Sequence, residues 1–282
     1  MTTETIRTRT RWQLAAARLP GPSVAVAVVM LAIVALVVIV VPFLPAFDPY
    51  SQDLAGSRAA PFADPAHLLG TDALGRDTLS RLAVATRVSL LVALGAVAIS
   101  AVVGLAVGLL AGWRRGRIDG FLMAVGDVQL AIPVVLLLIV LVAALGSSPL
   151  LLVTLLGLTN WVGYGRVTRS LAVSLRERDF VSSVTAAGGS GWWIVRKHLL
   201  PNVLPQVLIL AAFEIGVVIT IESSLSFLGL GIQPPTPSLG LMINEGQKYL
   251  QTDAALTLLP ALMILFVIGG IQFVSQGARP RR

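Results

Sequence analysis

The 282-residue chain is 56% hydrophobic and only 12% charged, about half the charged fraction of an ordinary soluble domain. Apolar runs long enough to cross a bilayer make it an integral membrane protein; without cysteine it has no disulfides or thiolate metal sites, and His67 and His198 alone cannot build a histidine-rich one. The net charge of +7 invites a nucleic-acid reading, which the placement of the basic residues argues against.

In chain order the pattern predicts an all-α membrane protein with six transmembrane helices. Residues 1–22 form a tail with Arg7, Arg9, Arg11 and Arg18, and 23–44 the first span. That span exceeds the roughly 7–15 apolar residues of a secretory signal and lacks an A-x-A-like site after it, so it is expected to stay uncleaved. Residues 45–87, rich in Pro, Asp and Gly, read as an external loop. A five-helix core follows over 88–275, with spans at 88–112, 121–145, 149–165, 203–230 and 255–275. Only Gly146, Ser147 and Ser148 separate the third and fourth spans, which predicts a tight hairpin. The prolines of "GIQPPTPSLG" stop the fifth span, and 276–282 is a basic tail.

Orientation follows from Lys and Arg. With the N-terminus taken as cytoplasmic, the internal segments hold 16 of the 21 basic residues, leaving Arg58, Arg76, Arg81, Arg87 and Lys248 outside. Both termini and the long connection 166–202 are therefore expected in the cytoplasm. The basic excess is then a topology signal, and no nucleic-acid partner is expected.

Inside the membrane, Ala96, Ser100, Gly104, Gly108 and Gly112 recur at every fourth position of the second span. Such a stripe lets another backbone approach closely, either within this chain or in a second subunit. Three acids lie in or near spans. Asp127 is close enough to the cytoplasmic end to reach the interface. Glu214 and Glu222 are eight residues apart, about 12 Å along a helix and about 80° around it, so both can face one path or gate; Glu222 equally suits a packing role near the outer end. The sequence contains no H-E-x-x-H, no G-x-S-x-G and no G-x-x-x-x-G-K-[ST], so hydrolytic and nucleotide-cradling chemistry lack their usual parts.

The cytoplasmic connection predicts two short helices. "LAVSLRERDFVSSVTAA" forms the first, "GGS" a glycine turn, and "GWWIVRKHLL" a second helix closed by Pro201. Two tryptophans suit an interfacial anchor, and a short rigid helix equally suits a soluble partner's groove. Outside, "GTDALGRD" contributes Thr71, Asp72, Gly75, Arg76 and Asp77. It reads either as a docking segment or as a loop in which Asp72 and Asp77 pair with Arg76 or Arg81, exposed pairs that stabilise little.

"FVSSVTAAGGSGWWIVRKHLLPN", residues 180–202, resembles the coupling loop of binding-protein-dependent ABC importer permeases, which reads E-A-A, three residues, Gly, then I-x-x-x-x-x-L-P-N. Gly188, Ile194, Leu200, Pro201 and Asn202 match, whereas Ser182, Ser183 and Val184 replace the acid and two alanines; Gly189 belongs to the same loop. "HLLGTDALGRDTLSRLAVATRVSL" (67–90), "ESSLSFLGLGIQPPTPSLG" (222–240, with Leu239 for the usual Trp), "SLRERDFV" and "GDVQLAIP" resemble the C-type permeases of dipeptide, oligopeptide, nickel and glutathione importers. The matches cover roughly residues 67–260 in the right order.

The resemblance implies a type I ABC importer permease fold in a bacterial inner membrane, embedded in lipid. It implies three kinds of partner: a homologous sister permease, one or two cytoplasmic ATP-binding subunits that hold ATP and Mg, and an extracytoplasmic substrate-binding protein. This chain itself would carry no cofactor and no catalytic residue. Residues 182–201 would contact the ATPase, Glu214, Glu222 and Asp127 would be candidates for the path or gate, and 71–77 would shape the external docking side. The expected cargo is di- or oligopeptide, with nickel chelate, glutathione or another small solute as the alternative. A stand-alone channel or scaffold would leave 166–202 without a purpose.

Overall fold

The computed structural model describes residues 22–277; the basic residues expected in the two tails at 1–21 and 278–282 lie outside them. Among the described residues there is no β-strand. The helices are α1 (Pro22–Ala35), α2 (Thr78–Arg114), α3 (Gly116–Leu130), α4 (Val134–Leu145), α5 (Pro149–Thr159), α6 (Trp161–Arg176), α7 (Asp179–Ala186), α8 (Gly191–Ile194), α9 (Leu200–Phe227), α10 (Leu239–Gly246) and α11 (Ala255–Gly277). Among the described residues five continuous apolar segments are long enough to cross a membrane, and a sixth is added if the bent pair α3 and α4 counts as one span. The all-α architecture expected from hydropathy is thus present, with five to six apolar spans against the six expected.

Several boundaries differ from the expected ones, each for a local reason. The second span begins at Thr78 rather than 88 because the Asp77 carboxylate accepts from Ser80 N (2.7 Å) and caps the helix. Its first turns carry Arg81, which reads as loop in sequence but is buried and ion-paired here. At 37 residues, α2 is about 55 Å long and overshoots a hydrocarbon core of about 30 Å. The third span bends by 83° between α3 and α4, where Pro133 supplies no N–H and disfavours helix at Ile132.

The fourth span continues to Arg176, and the segment expected as one helix breaks at Glu177 and Arg178. Pro201 does not close a helix. A π turn over Val195–Leu199 carries the chain from α8 directly into α9, giving one 37-residue unit from Gly191 to Phe227. The wider turn just ahead of the proline accommodates a residue that cannot donate to the helix ladder.

The small-residue stripe of α2 packs within the chain, as one of its two readings required. A Cβ on Gly104 would meet Trp161 O at 2.6 Å, and one on Gly108 would meet Gly165 O at 2.5 Å. A Cβ on Gly112 would lie 2.7 Å from Ala172 Cβ. Ser100 Oγ donates to Gly157 O (2.8 Å), tying α2 to α5. On the opposite side α1 lies on α11, where a Cβ on Gly270 would meet Leu31 Cγ at 2.7 Å.

Gln129 joins two interruptions of the helical ladder. Its Nε2 donates to Thr159 O (2.5 Å), the carbonyl ahead of the α5–α6 break, and its Oε1 accepts from Trp161 Nε1 (2.9 Å). Backbone freed at membrane depth needs an internal partner, and this amide supplies one from the end of α3.

Candidate functional site

The C-terminal end of α2 gathers the connection predicted to couple. Arg176, the last residue of α6, donates from Nη1 to Trp113 O (2.5 Å), with its guanidinium 5.2 Å from the Trp113 ring centroid. Arg115 Nη2 donates to Glu177 Oε1 (2.6 Å), and Arg169 pairs with Asp119 in the first turn of α3. These clamps hold the break between α6 and α7 against α2 and α3. Trp113, Arg115, Arg176 and Glu177 were not singled out in the sequence, because the groups that meet are about 60 residues apart.

Beyond the clamp, α7 and α8 form an elbow. Gly188 has φ +85°, a left-handed conformation that glycine adopts without strain. At Gly189 a Cβ would sit 2.7 Å from Val184 Cγ1, and Ser190 caps α8 by accepting from Trp193 N. Gly191 lets the Trp113 indole close on the backbone, where a Cβ would meet its Nε1 at 2.8 Å. Val181, Ile194 and Leu199 are buried with Leu109, Tyr164 and Val203, while Leu200 is half-buried and Pro201 exposed. One edge of the elbow is therefore core. The other edge is exposed at Ser182, Ser183 and Gly188, with Val184 between. Both serine hydroxyls donate back to Asp179 O (2.8 Å each), so this face presents no carboxylate where the resembled motif has one.

The three acids occupy three different settings. Glu222 is fully buried; its carboxylate accepts from Ser89 Oγ (2.9 Å) and Ser226 Oγ (2.7 Å), with Ser223 Oγ at 3.5 Å. Ser89 Oγ also lies 3.5 Å from Leu239 N at the start of α10. Having no exposed surface, Glu222 ties α2, α9 and α10 together, the packing role that was the other reading of this residue. Glu214 is half-buried on α9. Asp127 is exposed and pairs with Arg166 (2.5 Å), consistent with its place near the end of α3.

At the other end of α2 the predicted external residues do converge, but inward. Asp72 Oδ2 lies 2.7 Å from Arg76 Nε and 3.3 Å from Arg81 Nε. Both guanidiniums also reach Glu245 Oε2, at 3.2 Å and 2.7 Å. Asp77 pairs with neither arginine: it caps α2 and meets His67 Nδ1 at 3.0 Å. Thr71 Oγ1 donates to Gly56 O and accepts from Ala59 N (2.8 Å). A Cβ at Gly75 would lie 1.7 Å from Asp53 O. Thr71, Gly75, Arg76 and Asp77 are buried, which corrects the expectation of exposed, weakly stabilising pairs. Glu245 is invisible as a member in sequence because it lies 164 residues from Arg81.

Residues 104–279 match the profile of the binding-protein-dependent transport system inner membrane component family. The nickel transport system permease protein NikC of Escherichia coli is 34% identical over 257 residues, covering 91% of this chain and 92% of that protein. The oligopeptide transport system permease protein OppC of Haemophilus influenzae is 33% identical over 96% of this chain and 88% of its own length. The glutathione transport system permease protein GsiD of Pectobacterium atrosepticum is 33% identical over 76% and 71%. The chain therefore belongs to the binding-protein-dependent transport system inner membrane components, as a multi-pass permease subunit of an ABC importer.

Proposed function

We propose that the elbow over residues 182–195 is the contact through which a cytoplasmic ATPase moves this permease. The observation that supports it most is mechanical: the elbow is clamped to α2 and α3 on one side and continues without a break through Gly191–Phe227 on the other. A push on the exposed face of α7 is thus delivered to a rod about 55 Å long and to the longest helix of the bundle. In this reading the elbow and both termini face the cytoplasm, while Arg76, Arg81 and Glu245 brace the external side beneath a docked binding protein. A sister permease completes the path. One or two partner ATPases bind ATP and Mg, and this chain is non-catalytic. ATP binding draws the paired elbows together and opens the path outward; hydrolysis resets it. Glu214 stands as the path candidate among the three acids.

The proposed cargo is di- or oligopeptide. Nickel chelate, glutathione or another small solute remains the alternative within the same architecture, since relatives named for each are similarly close. Co-purification of the ATPase on the tagged permease pair, with uptake of labelled dipeptide and nickel in vesicles, tests both levels. Gly188→Trp is expected to abolish ATPase retention and uptake together, because its side chain would project where nothing lies within 4 Å. Retained association and uptake would overturn the coupling assignment.

A further inference from the structure

Beside the elbow runs an apolar groove of about 840 Å³ with no role in the function proposed above. Val102, Leu105, Leu109 and Leu110 of α2 form one wall, and Val195 and Leu200 the other. Its length along α2, from Val102 to Arg114, is about 18 Å, close to the thickness of one leaflet's hydrocarbon, about 15 Å. The end at the helix terminus is rimmed by Trp113, Arg114, Trp192 and Arg196. Trp192 is 74% exposed, and an exposed indole at the end of an apolar wall marks the level of lipid headgroups.

Arg114 and Arg196 are both exposed, and among the described residues neither pairs with a carboxylate. The neighbouring Arg115, Arg169 and Arg176 by contrast each have a protein partner. Two uncompensated cations over a leaflet-deep apolar slot fit a ligand with an anionic head and acyl tails. Residues 1–21 are a poor alternative, since Arg7, Arg9, Arg11 and Arg18 give that segment the same sign as the rim.

We propose that this groove binds an anionic glycerophospholipid of the inner leaflet, its phosphate between Arg114 and Arg196 and an acyl chain along Val102–Leu110. The lipid then fills the space between α2 and the start of the Gly191–Phe227 rod and braces the elbow that the ATPase moves. The placement in the inner leaflet rests on the cytoplasmic orientation of the elbow.

The test is native mass spectrometry of the permease pair taken from nanodiscs of phosphatidylcholine with phosphatidylglycerol. Wild type should retain phosphatidylglycerol. Arg114→Gln with Arg196→Gln should lower retention about thirtyfold, at about fivefold per arginine. Arg117→Gln, a basic change at the same end but off the groove, should leave retention unchanged. Equal retention in the double variant, or an equal loss with Arg117→Gln, would overturn the proposal. So would photo-crosslinking from Leu110→Cys that captures the sister permease or residues 1–21 of this chain instead of lipid. None of these readouts involves the ATPase, so their failure leaves the coupling assignment standing, and loss of ATPase binding leaves the lipid site standing.

Discussion

Glu222 shows how a residue that reads as a path acid can instead be a fastener. Its two oxygens take hydroxyls from α2 and α9 while the residue has no exposed surface. Glu222→Leu would leave Ser89 and Ser226 without their acceptor, at about 1–3 kcal/mol for each stranded buried group. Glu222→Gln keeps an acceptor and should cost less. Melting of the detergent-solubilised permease pair should order the proteins wild type, Gln, Leu, with transport following folded amount. A Glu222→Leu variant as stable as wild type would refute the fastening role. Arg81→Met is the matching experiment at the start of α2. It removes one of the two guanidiniums that Asp72 and Glu245 share, leaving both acids to Arg76, and should destabilise by about 1.5–3 kcal/mol, read as a lower melting temperature and reduced membrane yield.

At the scale of elements, the contacts between helices were partly legible. The four-residue spacing from Ala96 to Gly112 announces a close backbone approach, and α2 meets α6 there with carbonyl oxygens at about the closest approach a glycine permits. Which helix arrives could not be read, because a stripe specifies only its own side. Gly108→Leu should separate α2 from α6, costing about 1–3 kcal/mol or more by overpacking, and should abolish assembly measured by co-purification of the sister permease. The elbow separates conformation from space. Gly188→Ala meets no atom within 4 Å but must hold φ +85°, a strain of about 1–2 kcal/mol. The melting temperature should fall by only a few degrees, whereas ATPase activity stimulated by substrate-loaded binding protein should fall markedly. The start of α2 was missed for a related reason: Arg81 marks a loop by composition, and its burial in a helix depends on Asp72 and on Glu245, far along the chain.

For the whole molecule, the apolar spans and the elbow's glycine turn were legible because hydropathy and glycine act locally. The rod from Gly191 to Phe227 was not, since Pro201 signals an end that the π turn overrides. In the coupling proposal that continuity turns a docking surface into a lever, with a clamped elbow at one end of α2 and a braced ion cluster at the other. The absence of native cysteine allows the contact itself to be measured. Ser183→Cys, carrying a benzophenone-maleimide label in the reconstituted importer, places a photoprobe on the exposed face of α7. A covalent adduct with the ATPase subunit, absent when the probe is placed at Leu150 at the opposite end of the bundle, is the predicted result. An intact complex in which Ser183→Cys gives no ATPase adduct, or Leu150→Cys gives it instead, would contradict the account.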